Sequence, residues 1–261
     1  MSKVTVLNFD HALRPQNYWQ QPAVEWIDLT DLNRTNGYCA MESLEMIRRR
    51  LQGRKNRGVT LIGRGSYHYV SYVLISEIKR PFTLLLFDHH PDMMEAPGPD
   101  HISCGSWVLQ AMQDLPNLRK VILIGAADRW AEEIPLSFRN RVKVYPESVL
   151  QEGLDGRELA EEIRTDLVYI SVDKDVLDRR EAVTDWDQGS MAVQQVIDLC
   201  ETATEDHQVI GGDLCGEQPV SPVLACQPAS RQGILLNERA NIRIAKAILH
   251  RMKQQSASKV S

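Results

Sequence analysis

The chain is poor in cysteine, in basic clusters and in long apolar runs, and each shortage closes off a class of protein. Its five cysteines, Cys39, Cys104, Cys200, Cys215 and Cys226, are odd in number, widely scattered and free of any Cys-x-x-Cys pair. That argues against a disulfide framework and against a cysteine-ligated zinc. Basic residues gather only at Arg48-Arg49-Arg50 with Arg54, Lys55 and Arg57, in a helical pattern that reads as a solvated face, and the formal net charge is −5. Neither nucleic acid nor an anionic membrane is therefore an expected partner. No apolar run approaches the roughly 18 residues of a membrane span. The opening MSKVTVLNFD lacks a charged segment followed by an apolar one, so no signal peptide is read there. A cytoplasmic protein is the expectation.

What is present is ordinary for a globular protein. The 261 residues are 43% hydrophobic and 25% charged, enough to bury a sizeable core. Buried strands are expected at 4–9, 58–63, 82–87, 121–125, 141–145, 167–172 and 207–212, where short β-branched or apolar runs stop at polar or glycine residues. Residues 24–29 alternate and read as a short strand or an extended connection. Apolar spacing places helices at 41–51, 69–78, 103–112, 157–164, 192–202 and about 229–253, with a polar tail from 254. Strands alternating with helices describe a doubly wound, mostly parallel sheet. No repeat, linker or shift in composition divides the chain, so one domain over residues 1–261 is expected.

The chemistry gathers where strands end. In Leu84-Leu85-Leu86-Phe87-Asp88-His89-His90-Pro91-Asp92 an apolar run stops at alternating acids and imidazoles. Residues i, i+2 and i+4 of an extended chain point the same way, so Asp88, His90 and Asp92 project together. Hard carboxylate oxygens with an imidazole suit Mn, Fe, Co or Zn as a divalent ion. Strand 58–63 leads to His68, and strand 167–172 leads to Asp173 and Asp175. Ligands of open α/β sheets sit beyond the carboxyl ends of the strands. If these strands are neighbours, the acids would repel one another unless a cation neutralised them. Four Asp and two His are about the number that two metals need.

The order His68, Asp88-x-His90-x-Asp92, Ser171-Val172-Asp173-Lys174-Asp175 resembles the ureohydrolase (arginase/agmatinase/formimidoylglutamase) family, over about residues 58 to 217. The resemblance implies a three-layer α/β/α fold and two manganese ions per chain. His68 and Asp92 would bind one ion, His90 and Asp175 the other, and Asp88 and Asp173 would bridge them. A hydroxide between the metals would attack an amidine or guanidine carbon and expel an amine. His101 stands where the family carries a proton-shuttling histidine, and an imidazole pKa near 6.5 suits that work. Glu217 follows the last strand as the family's substrate-binding glutamate does, with Asp213 as the alternative. The family also forms oligomers, so a homo-oligomer is an expected partner.

Departures from the family pattern sit around the substrate. Gly65-Ser66-Tyr67-His68 replaces Gly-Gly-Asp-His, Asp178-Arg179 replaces Asp-Pro, and Met94 stands where arginases carry a carboxylate-binding Asn. Asp128-Arg129-Trp130 keeps one acid of a second pair, and His89 fills a position that is often small. Arginine is therefore a poor substrate candidate, and the expectation is a small guanidino or amidine compound. Asp185 and Asp187 are read as turn residues in preference to a cation site, and Cys104 as a packed thiol in preference to a nucleophile. Two alternatives stay open: a single-zinc deacetylase-type amidohydrolase and a non-catalytic metal-binding relative.

Overall fold

The computed structural model describes residues 3–130, 133–221 and 227–257. Its strands, in chain order, are β1 (Val4–Asn8), β2 (Val24–Asp28), β3 (Tyr38–Ala40), β4 (Val59–Leu61), β5 (Phe82–Phe87), β6 (His101–Ser103), β7 (Leu118–Ala126), β8 (Val142–Pro146), β9 (Leu167–Asp173) and β10 (Gln208–Cys215). The helices are α1 (Met41–Gln52), α2 (Val70–Ile75), α3 (Trp107–Asp114), α4 (Glu147–Glu152), α5 (Gly156–Glu162), α6 (Val193–Ala203) and α7 (Pro228–Ala257). Eight strands form one sheet in the order β2-β1-β4-β10-β9-β5-β7-β8, and every neighbouring pair is parallel.

A parallel sheet needs cover on both faces, which is why its central strands are apolar throughout. Every residue of β5 and of β9 is buried. Alternate side chains of β5 go to opposite layers. Leu84 and Leu86 pack with Leu44, Ile47, Val73 and Val108 of α1, α2 and α3. Leu85 and Phe87 pack with Leu150, Leu159, Val196 and Ile248 of α4, α5, α6 and α7. Each such side chain contributes about 1.5–3 kcal/mol by leaving water. The three-layer α/β/α arrangement follows. In α1 the buried stripe is Leu44, Ile47 and Leu51, with Glu42 in the first turn and Arg49 and Arg50 in the last, charges that suit the helix dipole. No helix among the described residues is long and apolar enough to cross a membrane.

Three differences from the sequence reading matter for the site. β3 and β6 form a small antiparallel pair, with Ala40 opposite His101, where no strand was expected. The following helix starts at Trp107 and not at Ser103, because Ser106 Oγ accepts from the Ser103 amide (2.9 Å) and turns residues 103–106 first. β9 and β10 also run past their apolar cores into polar sequence. Their ladder continues to the pair Cys215 and Asp173, with Asp213 opposite Ser171.

Candidate metal centre

The sheet order brings the expected ligands together. β5 and β9 are neighbours, and only β10 separates β9 from β4, the strand that leads to His68. His68 enters from the turn after β4, Asp88, His90 and Asp92 follow β5, and Asp173 and Asp175 close β9. His68, Asp88, Asp92, Asp173 and Asp175 are buried and His90 is partly so. Two groups share Asp88: His68 with Asp88 and Asp92, and His90 with Asp88 and Asp175.

Local backbone features aim these side chains. Asp92 sits at φ 49°, a left-handed conformation that Asp tolerates better than most residues, and it turns the chain sharply after Pro91. Its Oδ2 accepts from the buried Trp107 indole at 2.6 Å. Asp88 Oδ1 accepts from the His90 amide at 2.7 Å, and Asp175 Oδ1 from the His89 amide at 3.0 Å. His89 faces away, with Nδ1 3.2 Å from Gly125 O. Gly216, at φ 86°, lies so close to Asp173 that a Cβ there would be 2.5 Å from Oδ1. Only glycine lets β10 pass the carboxylate at this distance.

The hydrogen bonds behind the histidines assign their ring nitrogens. His68 Nε2 lies 2.9 Å from Ser171 Oγ, and Ser171 donates to Asp213 Oδ1 at 2.7 Å. The hydroxyl therefore accepts from Nε2–H, leaving the Nδ1 lone pair facing the cluster. That atom is 3.2 Å from Asp88 Oδ2, 3.1 Å from Asp92 Oδ2 and 3.6 Å from Asp173 Oδ2. His68 Nδ1 and Asp88 Oδ2 are nevertheless buried without a hydrogen-bond partner. His90 repeats the pattern: Nε2 lies 2.9 Å from Asp187 Oδ1, and Nδ1 is 2.9 Å from Asp175 Oδ2. Arg129 binds the other oxygen of Asp187 at 2.5 Å.

Imidazole nitrogens and buried carboxylates at such distances require positive charge among them, from protons or from a metal. Without a metal the cage retains protons. Burial and the Asp88 charge push Asp92 up to about 7. Burial with Asp173 and Asp88 raises Asp175 well above the carboxylate range. Burial opposes charge on His90, but Asp175 and Asp88 outweigh it and push the imidazole up to about 12. Burial likewise opposes charge on His68, where Cys215, Asp88 and Asp92 prevail and raise it. Asp88 alone is driven down, to about 2, as His68 and His90 overcome the effect of burial. Oxygen and imidazole donors in this pattern fit divalent metal ions.

A cavity of about 340 Å³ opens over the cage and is lined by Asp88, His90, Asp92, Asp173 and Asp175 on its floor. Its walls include Tyr38, Met94, Trp130 and Trp186, and no Lys or Arg is among the described lining residues. The nearby cations are engaged: Arg64 pairs with Asp185 (2.5 Å) and Asp10 (3.4 Å), and Arg129 with Asp187. Asp185 and Asp187 are thus more than turn residues, since Asp187 orients His90. Cys104 lines the cavity as an unreactive thiol, pushed up to about 12 by burial and the Asp92 charge.

The two remaining candidates lie elsewhere. His101 is exposed on β6 and is not in the cavity wall, although Ser103 of the same strand is. Glu217 is buried behind the cage, ion-paired with Lys174 and accepting from Gln16 Nε2 (2.8 Å) and Asn241 Nδ2 (2.7 Å). Its carboxylate is already committed, and it does not line the cavity. Asp213 stands behind His68, accepting from Ser171 and Ser71, and does not line the cavity. Sequence reasoning missed Ser171, Trp107 and Asp187 as supports of the cage. Ser171 was the most accessible of these, two residues before Asp173 on one face of a strand.

Comparison with known proteins identifies the fold and the family. A protein of Thermotoga maritima described only as uncharacterized is 33% identical over 160 residues, 61% of this chain and 58% of that one. The alignment thus spans little more than half of that relative. Proclavaminate amidino hydrolase from Streptomyces clavuligerus has a similar structure, with TM-score 0.67 and 18% identity, covering 96% of this chain and 92% of that one. A hypothetical agmatinase from Burkholderia thailandensis gives 0.66 and 18%, covering 97% and 86%. At this identity the structures establish the shared three-layer fold. The arginase family model matches residues 6–227, most of the sequence, and the chain belongs to the arginase family.

Proposed function

We infer that the protein is a metal-dependent hydrolase that cleaves a non-peptide C–N bond in a small guanidino or amidine compound. Its two divalent ions, Mn2+ by likeness to the arginase family, would be held by His68, Asp88, His90, Asp92, Asp173 and Asp175, whose oxygen and imidazole donors suit such ions. The observation that carries this reading is the pair of histidines whose Nε2 atoms are fixed from behind while their Nδ1 atoms face buried carboxylates. Such orienting partners are typical of metal-bound histidine. Bound ions would supply a nucleophile at neutral pH and stabilise developing charge.

The chain's own residues divide the rest of the work. Asp88, common to both groups, would be the carboxylate that the two ions share, with Asp173 beside it. Ser171 with Asp213, and Asp187 with Arg129, hold the two imidazoles in the ligating tautomer. Trp186, Trp130 and Tyr38 present aromatic walls to a cationic head. Trp130 Nε1 is a buried donor without an acceptor, available to an uncharged polar group of the substrate. A lining without Lys or Arg offers no partner to a substrate carboxylate, which favours uncharged or apolar tails over amino acids. His101, exposed two residues before the cavity-lining Ser103, is assigned proton exchange with solvent and no contact with the reacting carbon.

The test combines metal analysis with turnover. Protein produced with Mn2+ is assayed for ion content and for release of urea, ammonia or amine from guanidino and amidine compounds with and without a carboxylate. Two ions per chain and faster turnover of the carboxylate-free members are expected. A single zinc per chain, with no second ion taken up at saturating metal, would instead indicate the deacetylase-type reading. A fully metallated protein inert toward the whole panel would overturn the hydrolase assignment.

A further inference from the structure

The His68 side of the cage contains a donor that the six-residue set leaves out. Cys215 ends β10, and the ladder places it directly opposite Asp173. Its Sγ is 3.1 Å from Asp173 Oδ2, the same oxygen that lies 3.6 Å from His68 Nδ1. Ligand atoms of His68, Asp173 and Cys215 lie within 4.8 Å of one another, and all three residues are buried. Donors sharing one tetrahedral ion sit about 3.5 Å apart, as follows from metal–ligand bonds of about 2.0–2.3 Å. The unpartnered, buried Nδ1 of His68 independently marks this spot as one awaiting a cation. A packed thiol needs no such neighbours: Cys39 and Cys200 are also buried and belong to no ligand group among the described residues.

We propose that Cys215 is a ligand of the ion on the His68 side, giving that position an imidazole, carboxylate oxygens and one sulfur. The proposal rests on the metal-centre reading above and narrows it. Sulfur is a soft donor, so this position takes a thiophilic divalent ion such as Zn2+, Fe2+ or Co2+ in preference to Mn2+, while the all-oxygen-and-imidazole group around His90 keeps the harder preference. On binding, the S–H bond breaks, its proton leaves to solvent, and the sulfur electron pair forms the bond to the ion. No electron is transferred.

The experiment uses the full chain, stripped of metal and titrated with Co2+. Visible ligand-field bands report binding of the ion, and near-ultraviolet thiolate-to-cobalt charge transfer reports sulfur in its coordination sphere. The expected result is a charge-transfer band in the unaltered protein and in Cys104→Ser, absent from Cys215→Ser. Zn2+ affinity in Cys215→Ser should fall at least about tenfold, the lower end of what losing even an outer partner of a metal costs, with Mn2+ affinity changed far less. Ligand-field bands without charge transfer would overturn the role of Cys215 and leave the metal centre standing. A band that survives Cys215→Ser and vanishes in Cys104→Ser would do the same. Failure of any divalent ion to bind would overturn both readings.

Discussion

Two buried polar clusters meet at the end of β9, and alternate residues of one tripeptide feed them. Asp173 and Asp175 turn into the cage, where two atoms, His68 Nδ1 and Asp88 Oδ2, have no partner. Lys174 turns the other way, fully buried, and meets Glu217, which is also held by Gln16 and Asn241. Gln16 in turn accepts from Trp19 Nε1 at 2.9 Å. One cluster is internally complete and binds four separate segments together. The other crowds four carboxylates against two imidazoles and is held together by protons that a cation can replace. Buried polar groups with every partner supplied by the chain are architecture, whereas buried groups short of a cation form a receptor.

Removing the shared carboxylate should distinguish the clusters most sharply. Asp88→Ala is expected to abolish binding of both ions by metal analysis; full metal content in that variant would sink the bridging assignment. Next in size is an attack on the complete cluster. Glu217→Ala leaves the Lys174 ammonium buried and unpaired, and should cost about 3–5 kcal/mol in denaturant unfolding. Pairing Lys174→Met with Glu217→Leu should recover most of that loss, because both charges then disappear together. No recovery in the double variant would mean that the ion pair contributes more than mutual neutralisation.

A smaller, graded contrast comes from pH. In the metal-free fold Asp92, Asp173 and Asp175 are raised by burial and neighbouring acids, and His68 and His90 are raised by the acids despite burial. The folded chain thus binds these protons more tightly than the unfolded chain does. The stability they supply is present below a carboxylate's ordinary range of about 4. For Asp92 it is lost as pH rises to about 7, and for His90 as pH rises from about 6.5 toward about 12. Metal replaces the protons, so its affinity moves the opposite way. The gap in Tm between loaded and stripped protein should widen from pH 5 to pH 8; a constant gap would contradict the proton-filled cage. The smallest effect is expected at His101, where Ala should leave metal content unchanged and slow turnover by a few-fold. Identical pH-rate profiles would remove His101 from the reaction.

Much of the receptor was legible in the sequence because its donors lie on local patterns. Asp88, His90 and Asp92 alternate after an apolar strand, and Asp173 with Asp175 repeat that spacing. The complete cluster was not legible. Gln16 and Asn241 reach Glu217 across 201 and 24 residues, and no local period records such a contact. Reading Glu217 as a substrate ligand followed from its position after the last strand, while its commitment to Lys174 depends on where α7 and the turn after β1 pack. Cys215 was hidden for a similar reason. The apolar run ends at 212, but pairing with β9 carries the strand to 215. Short strands β3 and β6 escaped because three residues carry too little periodicity to separate from loop.

The position of β10 in the sheet also governs when His68 can join the other buried acids and imidazole. It is the last strand to be synthesised, yet it lies between β4 and β9. Until residues 208–215 leave the ribosome, the strand leading to His68 and the strand ending in Asp173 have no common neighbour. The group of Asp88, His90 and Asp175 needs only the directly paired β5 and β9, whereas His68 is brought to it across β10. The His68 half of the cluster is therefore the last part of it that the order of synthesis allows to assemble.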